Sequence, residues 1–303
     1  MSGSLDDRVV EPPPSDGTGG PVPPRCRPDP EHRRAPKSIP VFFRRSRNRL
    51  VHITLLIANR PGSLRAVLAE LPDEGVNLLA LNISGGARAT AVQAQIFAEI
   101  GPPASPRALE QRLGAISEVY EVRIEEDVDG RLIDGSYPVQ LSEADRALLF
   151  SAPAFSEAWN RLRDNLGSGG AVLLCVFGEY LGRELAADAI RAVGREFIRS
   201  NLAYSLRFWS SMGWGQADLG EIDLSEGRIT VRVFDSFECD PRSASSAPRS
   251  QLIRGVLIGM FSRIIETPLS CEETACRSQG SPYCEFVLER RPPESLEAPL
   301  LPG

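Results

Sequence analysis

CEETACRSQGSPYCEF, residues 271–286, packs three of the chain's six cysteines and three carboxylates into sixteen positions. Such a stretch is a metal site, a disulfide or a cysteine-rich strand, and the choice decides how the C-terminal half is built. On either side of the turn RSQGSP, the segments PLSCEETAC and YCEFVLER read as strands. Gly280 supplies the freedom that a tight return of the chain needs.

Working outward, residues 251–265 (QLIRGVLIGMFSRII) read as a helix. Its Gly255 and Gly259, four apart, make a small-residue strip that lets it lie close to a neighbour. GRITVRVFDSFEC (227–239) and MGWGQADLGEID (212–223) read as two strands around a short turn, and SASSAPRS (243–250) as a loop. Helices are expected near 142–163, over 169–185 and near 186–206. In the second of these, Leu173, Val176, Phe177, Tyr180 and Leu181 fall on one face. GSGG (167–170) follows a polar helical stretch and no strand, so it reads as a helix start before a phosphate loop. Cys175, mid-helix among apolar residues, reads as a packed hydrophobe. Trp209 and Trp214, with Phe208 and Met212, line an apolar pocket or belong to the core.

Toward the N-terminus, VHITLLI (51–57) reads as a strand and NRPG (59–62) as a turn. Leu64, Val67, Leu68 and Leu71 then recur at helical spacing. VNLLALNIS (76–84) and TAVQAQIFAEI (90–100) are strands around GGAR, SPRALEQRLGAI (105–116) is a helix, and VYEVRIE (119–125) closes the unit. The order βαββαβ in about 75 residues is a ferredoxin-like layout. Alternation places His52 opposite Val51 and Ile53, on a face expected to be exposed or at an interface.

A chain of 303 residues has room for two cores. The fold class expected is α+β: a ferredoxin-like βαββαβ domain, then an α/β domain with an antiparallel sheet packed by helices. Residues 1–47, with ten prolines between positions 12 and 40 and a basic second half, are expected to be a disordered arm. The first domain spans 48–126, a polar linker 127–141, the second domain 142–290 and a loose tail 291–303. The start MSGSLDDRVV lacks an apolar core, and AVLLCVF (171–177) is too short to span a membrane. A cytoplasmic, bacterial protein is expected, in which cysteines serve metal or packing before disulfides. The net charge of −6 gives no general pull toward nucleic acid. Lys37 is the only lysine and lies in the arm; His32 and His52 are the only histidines. Schiff-base chemistry inside the fold is excluded, and acid–base work would rest on Asp, Glu, Tyr or His52. This composition argues against an enzyme.

Two resemblances sharpen the reading. NRPGSL after an apolar strand, followed by GVNLLAL, makes residues 51–125 resemble an ACT domain, with Asn59 where the family usually has Asp. ACT domains are regulatory modules that pair through their sheets and often bind an amino acid at the pair interface. That implies a homodimer, with Asn59, Gly62 and Asn77 as ligand contacts, or a module that only dimerises. MGWG (212–215), VFDSFE (233–238), GVLIG (255–259) and ETACRSQGSPYCEF (273–286) make residues 142–288 resemble the 4-vinyl-reductase-like, hydrocarbon-binding domain family. Its relatives include a bacteriochlorophyll-biosynthesis protein, aromatic-sensing domains of transcription activators and a vesicle-tethering subunit.

The second resemblance implies a pocket for a small apolar or aromatic molecule, with Trp209 and Trp214 as contacts. It also implies a structural zinc held by Cys, Glu-x-x-Cys and Cys. Glu273, Cys276 and Cys284 match the last three, while the first cysteine position falls on Ser250. Cys239 or Cys271 is then the replacement. Cys239 is preferred, because a ligand two residues before Glu273 strains a tetrahedron. Together the resemblances imply a sensor that acts through a partner protein, since neither a helix-turn-helix nor a P-loop is present. The alternative they leave is a bacteriochlorophyll-biosynthesis factor, either vinyl reductase or tetrapyrrole carrier.

Overall fold

The computed structural model describes residues 39, 42–44, 48–71, 75–86, 88–102, 104–141, 146–239, 245 and 247–292. The expected arm falls outside this range except for Ile39 and Phe42–Arg44, as does the tail beyond Pro292. The chain divides into two compact units, Ala35–Leu149 and a second one containing Phe150–Gly303.

The first unit contains β1 (Phe42–Arg44), β2 (Arg49–Ala58), α1 (Ser63–Glu70), β3 (Val76–Ser84), β4 (Ala91–Ile100), α2 (Pro106–Gly114), β5 (Val119–Glu126) and β6 (Arg131–Ile133). Strands β2 to β5 form an antiparallel sheet in the order β3-β4-β2-β5, with β2 central because its residues are apolar on both faces. Val51, Ile53, Leu55 and Ile57 pack with Val67, Leu71, Leu109 and Leu113 of the helical layer. Each such buried aliphatic contributes about 1.5–3 kcal/mol of transfer free energy.

The other sheet face departs from expectation. His52 does lie opposite Val51 and Ile53, but it is only 2 % exposed and stacks on Phe97 at 4.3 Å. The reason is a two-stranded ribbon, β1 with β6, which adds Phe43 and Leu132 to Leu50 and Phe97 on that face. Residues 127–141, expected as a linker, belong to this unit: Leu132 is buried in it, and the Ser136 hydroxyl accepts from Gln95 Nε2 at 2.6 Å.

The second unit contains α3 (Ala152–Leu166), α4 (Ser168–Val193), α5 (Ile198–Ser211), β7 (Gln216–Asp223), β8 (Arg228–Phe234), α6 (Gln251–Ile265), β9 (Leu269–Ala275) and β10 (Cys284–Arg290). Its antiparallel sheet runs β7-β8-β10-β9. The helix expected near 142–163 begins at Ala152, where the Ser151 hydroxyl accepts from the Ala154 amide at 3.2 Å. The helices expected over 169–185 and from 186 are differently divided: α4 runs unbroken to Val193 and stops at Gly194, whose φ is 98°.

The face of α4 is also corrected. Leu173, Phe177 and Tyr180 are exposed, while Leu174, Gly178, Gly182, Ala186 and Ala189 are buried. Backbone proximity decides this. Gly178 and Gly182 of α4 meet Gly255 and Gly259 of α6 so closely that a Cβ on any of the four would overlap a carbonyl oxygen of the partner helix. Large side chains on α4 are therefore turned away from α6. Among the described residues, no helix is long and apolar enough to cross a membrane.

Candidate metal centre

Four side chains from four separate places in the chain converge at one end of the second unit's sheet. Cys239 follows β8, Glu273 lies on β9, Cys276 follows β9 and Cys284 opens β10. All four are buried, and a ligand atom from each lies within 4.8 Å of the others. The return between β9 and β10 places two of the thiols. A 3-10 turn at Arg277–Gln279 is closed by Gly280 at φ 94°, and the Ser281 amide donates to the Cys276 carbonyl at 3.2 Å. Glycine is required there because the left-handed conformation disfavours a side chain.

Ser250 stands at the centre of the group. Its hydroxyl donates to Glu273 Oε1 at 2.7 Å and its amide to Glu273 Oε2 at 3.1 Å. The same hydroxyl oxygen lies 3.0 Å from Cys239 Sγ and 3.6 Å from Cys284 Sγ. The position where the 4-vinyl-reductase-like pattern puts a thiol thus holds a hydroxyl, and the thiol of Cys239 comes in beside it. Cys271, the other replacement considered, is not among the four. Cys239 Sγ and Cys276 Sγ are 3.6 Å apart. Tetrahedral zinc with bonds of about 2.3 Å would set two sulfurs about 3.8 Å apart, so this spacing fits the ion.

The electrostatics also fit. Burial pushes the Glu273 carboxyl up to about 8, against the pull of Ser250. Hydrogen bonds with Cys276 and Cys284 raise the Cys239 thiol, and burial adds to them. A bond with Cys239 pulls the Cys284 thiol down, but contact with Cys276 and burial carry it up to about 12. Cys276 is lowered, chiefly through its contacts with Cys239 and Cys284. With all four groups deprotonated the site would gather four negative charges in a buried place, which a bound cation would offset. Zinc prefers this mix of thiolates and one carboxylate.

A second carboxylate, Glu238, escaped the sequence reading. Its two oxygens accept from the Leu252 and Ile253 amides, both at 2.9 Å, and so cap α6 from the end of β8. Burial pushes it up to about 7, against those two bonds. Nothing in VFDSFEC, which holds both Asp235 and Glu238, marks it as the cap. Ser250, the residue before α6, makes no capping bond of its own because its hydroxyl serves Glu273.

The remaining candidates are dispersed. Trp209 is buried and meets Trp214 edge-on at 5.9 Å; Trp214 meets Phe237 at 5.6 Å. Asn201, Ser205 and Trp209, at i, i+4 and i+8 along α5, are all buried. Asn201 Oδ1, Ser205 Oγ and Trp209 Nε1 have no hydrogen-bond partner among the described residues. Their helical spacing is legible in the sequence, but their burial is not. Asn59 and Gly62 share the turn between β2 and α1. Asn59 Nδ2 donates to the Ala89 carbonyl at 2.8 Å, and Gly62 has φ 97° with open space where a Cβ would point. Asn77 is exposed on the edge strand β3.

Comparison with known proteins places this centre in context. The family model for the 4-vinyl-reductase-like domain matches residues 229–290, a span that runs from β8 through α6 to β10 and holds all four donors. No curated protein matches the chain. Similar solved structures include the phenol-responsive sensory domain of the transcription activator PoxR, in complex with phenol. It is 21% identical, with 48% of this chain and 77% of that one covered and a TM-score of 0.44. A vinyl-4-reductase family protein from Methanocaldococcus jannaschii is 20% identical, over 48% of this chain and 85% of that one, at 0.37. Trafficking protein particle complex subunit 3 from Naegleria fowleri, covalently bound to palmitic acid, is 15% identical over 46% and 95%, at 0.36.

Proposed function

We propose that the chain is a ligand-responsive regulatory protein whose second unit takes up a small aromatic or otherwise apolar molecule. The observation that carries this reading is the row on α5. Asn201 Oδ1, Ser205 Oγ and Trp209 Nε1 are buried in an apolar core with no partner among the described residues. An unpartnered buried polar group costs about 1–3 kcal/mol, so a row of them beside the Trp209–Trp214 pair suits a guest that brings both apolar surface and a hydrogen-bonding group. The family match over 229–290 supports the same reading.

Cys239, Glu273, Cys276 and Cys284 hold one zinc in this proposal. Bound there, the ion neutralises the thiolates and ties the end of β8 to the β9–β10 return, with no open position for chemistry. The first unit serves as an ACT-type module that pairs two copies or binds an amino acid near Asn59, Gly62 and Asn77. Support for pairing comes from β3, an edge strand without charged residues that exposes Leu78, Leu79 and Ile83. Output passes to a partner protein.

Thermal melting with three probes of one size, phenol, cyclohexanol and toluene, tests the ligand site. Binding to the folded chain raises the melting temperature by mass action. The hydroxylated probes are expected to raise it more than toluene, and Ser205→Ala with Trp209→Phe to remove the difference. Melting that none of the three probes shifts contradicts the reading.

A further inference from the structure

Three consecutive residues after β8 do three different things. Phe237 packs in the aromatic cluster, Glu238 caps α6 and Cys239 enters the sulfur cluster. Phe237 is the middle ring of a ladder. On one side it meets Trp214 at 5.6 Å, and Trp214 meets Trp209. On the other side it meets Phe155 of α3 at 5.6 Å; Phe155 meets Trp159 at 5.3 Å, and Trp159 meets Phe177 of α4 at 5.8 Å. The backbone repeats the connection. The Phe237 amide donates to the Trp214 carbonyl at 3.3 Å, and the Phe237 carbonyl accepts from the Ser156 hydroxyl of α3. Side-chain and main-chain bonds therefore hold Phe237 between the core tryptophans and α3.

Two peptide bonds further on, the Cys239 side chain is buried in the core, and among the described residues its polar contacts are with Cys276 and Ser250, beside its amide bond to the Ser236 carbonyl at 3.4 Å. A thiol at position 250 would have placed the fourth ligand at the start of α6, away from this ladder. With the thiol at position 239, whatever fixes the cluster also fixes the chain that carries Phe237.

We propose that Phe237–Cys239 is a coupling segment through which metal occupancy sets the packing of the six-ring ladder, so that the apolar site beside Trp209 and Trp214 is metal-dependent. This rests on zinc binding at the four donors, as proposed above. Phe237 is a positioning residue here, since it touches no donor atom. Without the ion, Cys239 keeps only its weaker contacts with Cys276 and Ser250, and this end of the segment is held less firmly. Phe237 then loosens against both Trp214 and Phe155.

The test uses the full chain, zinc and a chelator, with tryptophan emission and metal content read on the same sample. Chelation is expected to shift the emission to the red and increase quenching by acrylamide, and zinc is expected to reverse both. Trp214→Phe should remove most of the change. Phe237→Leu should keep one zinc per chain while losing the emission response. Zinc that comes and goes with unchanged emission overturns the coupling and leaves the zinc site standing. So does a response that persists in both variants. A chain whose metal content stays at zero overturns both proposals, and the metal measurement separates that result from the others.

Discussion

Cys239 and Ser250 show how much depends on single atoms. Eleven residues apart, they sit with their side-chain sulfur and oxygen 3.0 Å from each other. Cys239→Ser would leave two thiols and a carboxylate. Zinc affinity is expected to fall by a factor of at least about 10²–10³ because a thiolate is lost from a four-donor shell, as read by competition with a chromophoric chelator. Glu238 gives a separate prediction. Glu238→Ala orphans the Leu252 and Ile253 amides in a buried place, at about 1–3 kcal/mol each. Denaturant unfolding is expected to show a loss of about 2–5 kcal/mol, and Glu238→Gln, with one acceptor left, about half as much. Glu273, Cys276 and Cys284 were legible through the resemblance to the 4-vinyl-reductase-like pattern, which their spacing matches. The fourth had to be chosen between Cys239 and Cys271, since only the fold decides which strand end meets the β9–β10 return. Glu238 was not legible at all, because its partners lie fourteen and fifteen residues away.

At the scale of elements, α6 was readable to the residue, since Ser250 and Glu266 bracket a mainly apolar run interrupted only by Arg254, Ser262 and Arg263 after Gln251. The glycine strip was readable too, but its consequence for α4 was not. Apolar periodicity assigned Leu173, Phe177 and Tyr180 to the buried face, whereas the approach of two backbones rotates the glycines inward. Propensity and packing now predict opposite signs at different positions of the same helix. Gly→Ala favours a helix by up to about 1 kcal/mol. Gly169, with nothing within 4 Å of an added Cβ, should follow that rule, and Gly169→Ala is expected to raise stability slightly. Gly182→Ala and Gly259→Ala meet main-chain atoms, which cannot move aside as a side chain can. Each is expected to cost about 3 kcal/mol or more, at or above the usual overpacking range. Equal stability of Gly169→Ala and Gly259→Ala would mean that α4 and α6 do not lie backbone to backbone.

On the whole-molecule scale, two cores were readable from the chain's length and from the change of pattern near residue 140. The ribbon of β1 and β6 was not, because three-residue strands leave no periodicity to read, and so the burial of His52 was missed. The division into two units has a thermodynamic consequence. The proposed metal lies in the second unit alone, so chelation is expected to lower the melting transition of that unit by several degrees and leave that of the first unchanged. Calorimetry on the full chain, with and without chelator, reads this directly. A single transition that moves as a whole would mean that the units melt together.

The most direct measurement is native mass spectrometry of the full chain after gentle purification, followed by the same spectrum with chelator. The expected result is one zinc per chain, lost with chelator, and an organic adduct of small mass retained by the folded protein. A folded chain that carries neither zinc nor adduct would contradict the metal-stapled sensor, and would reduce the buried cysteines to packing.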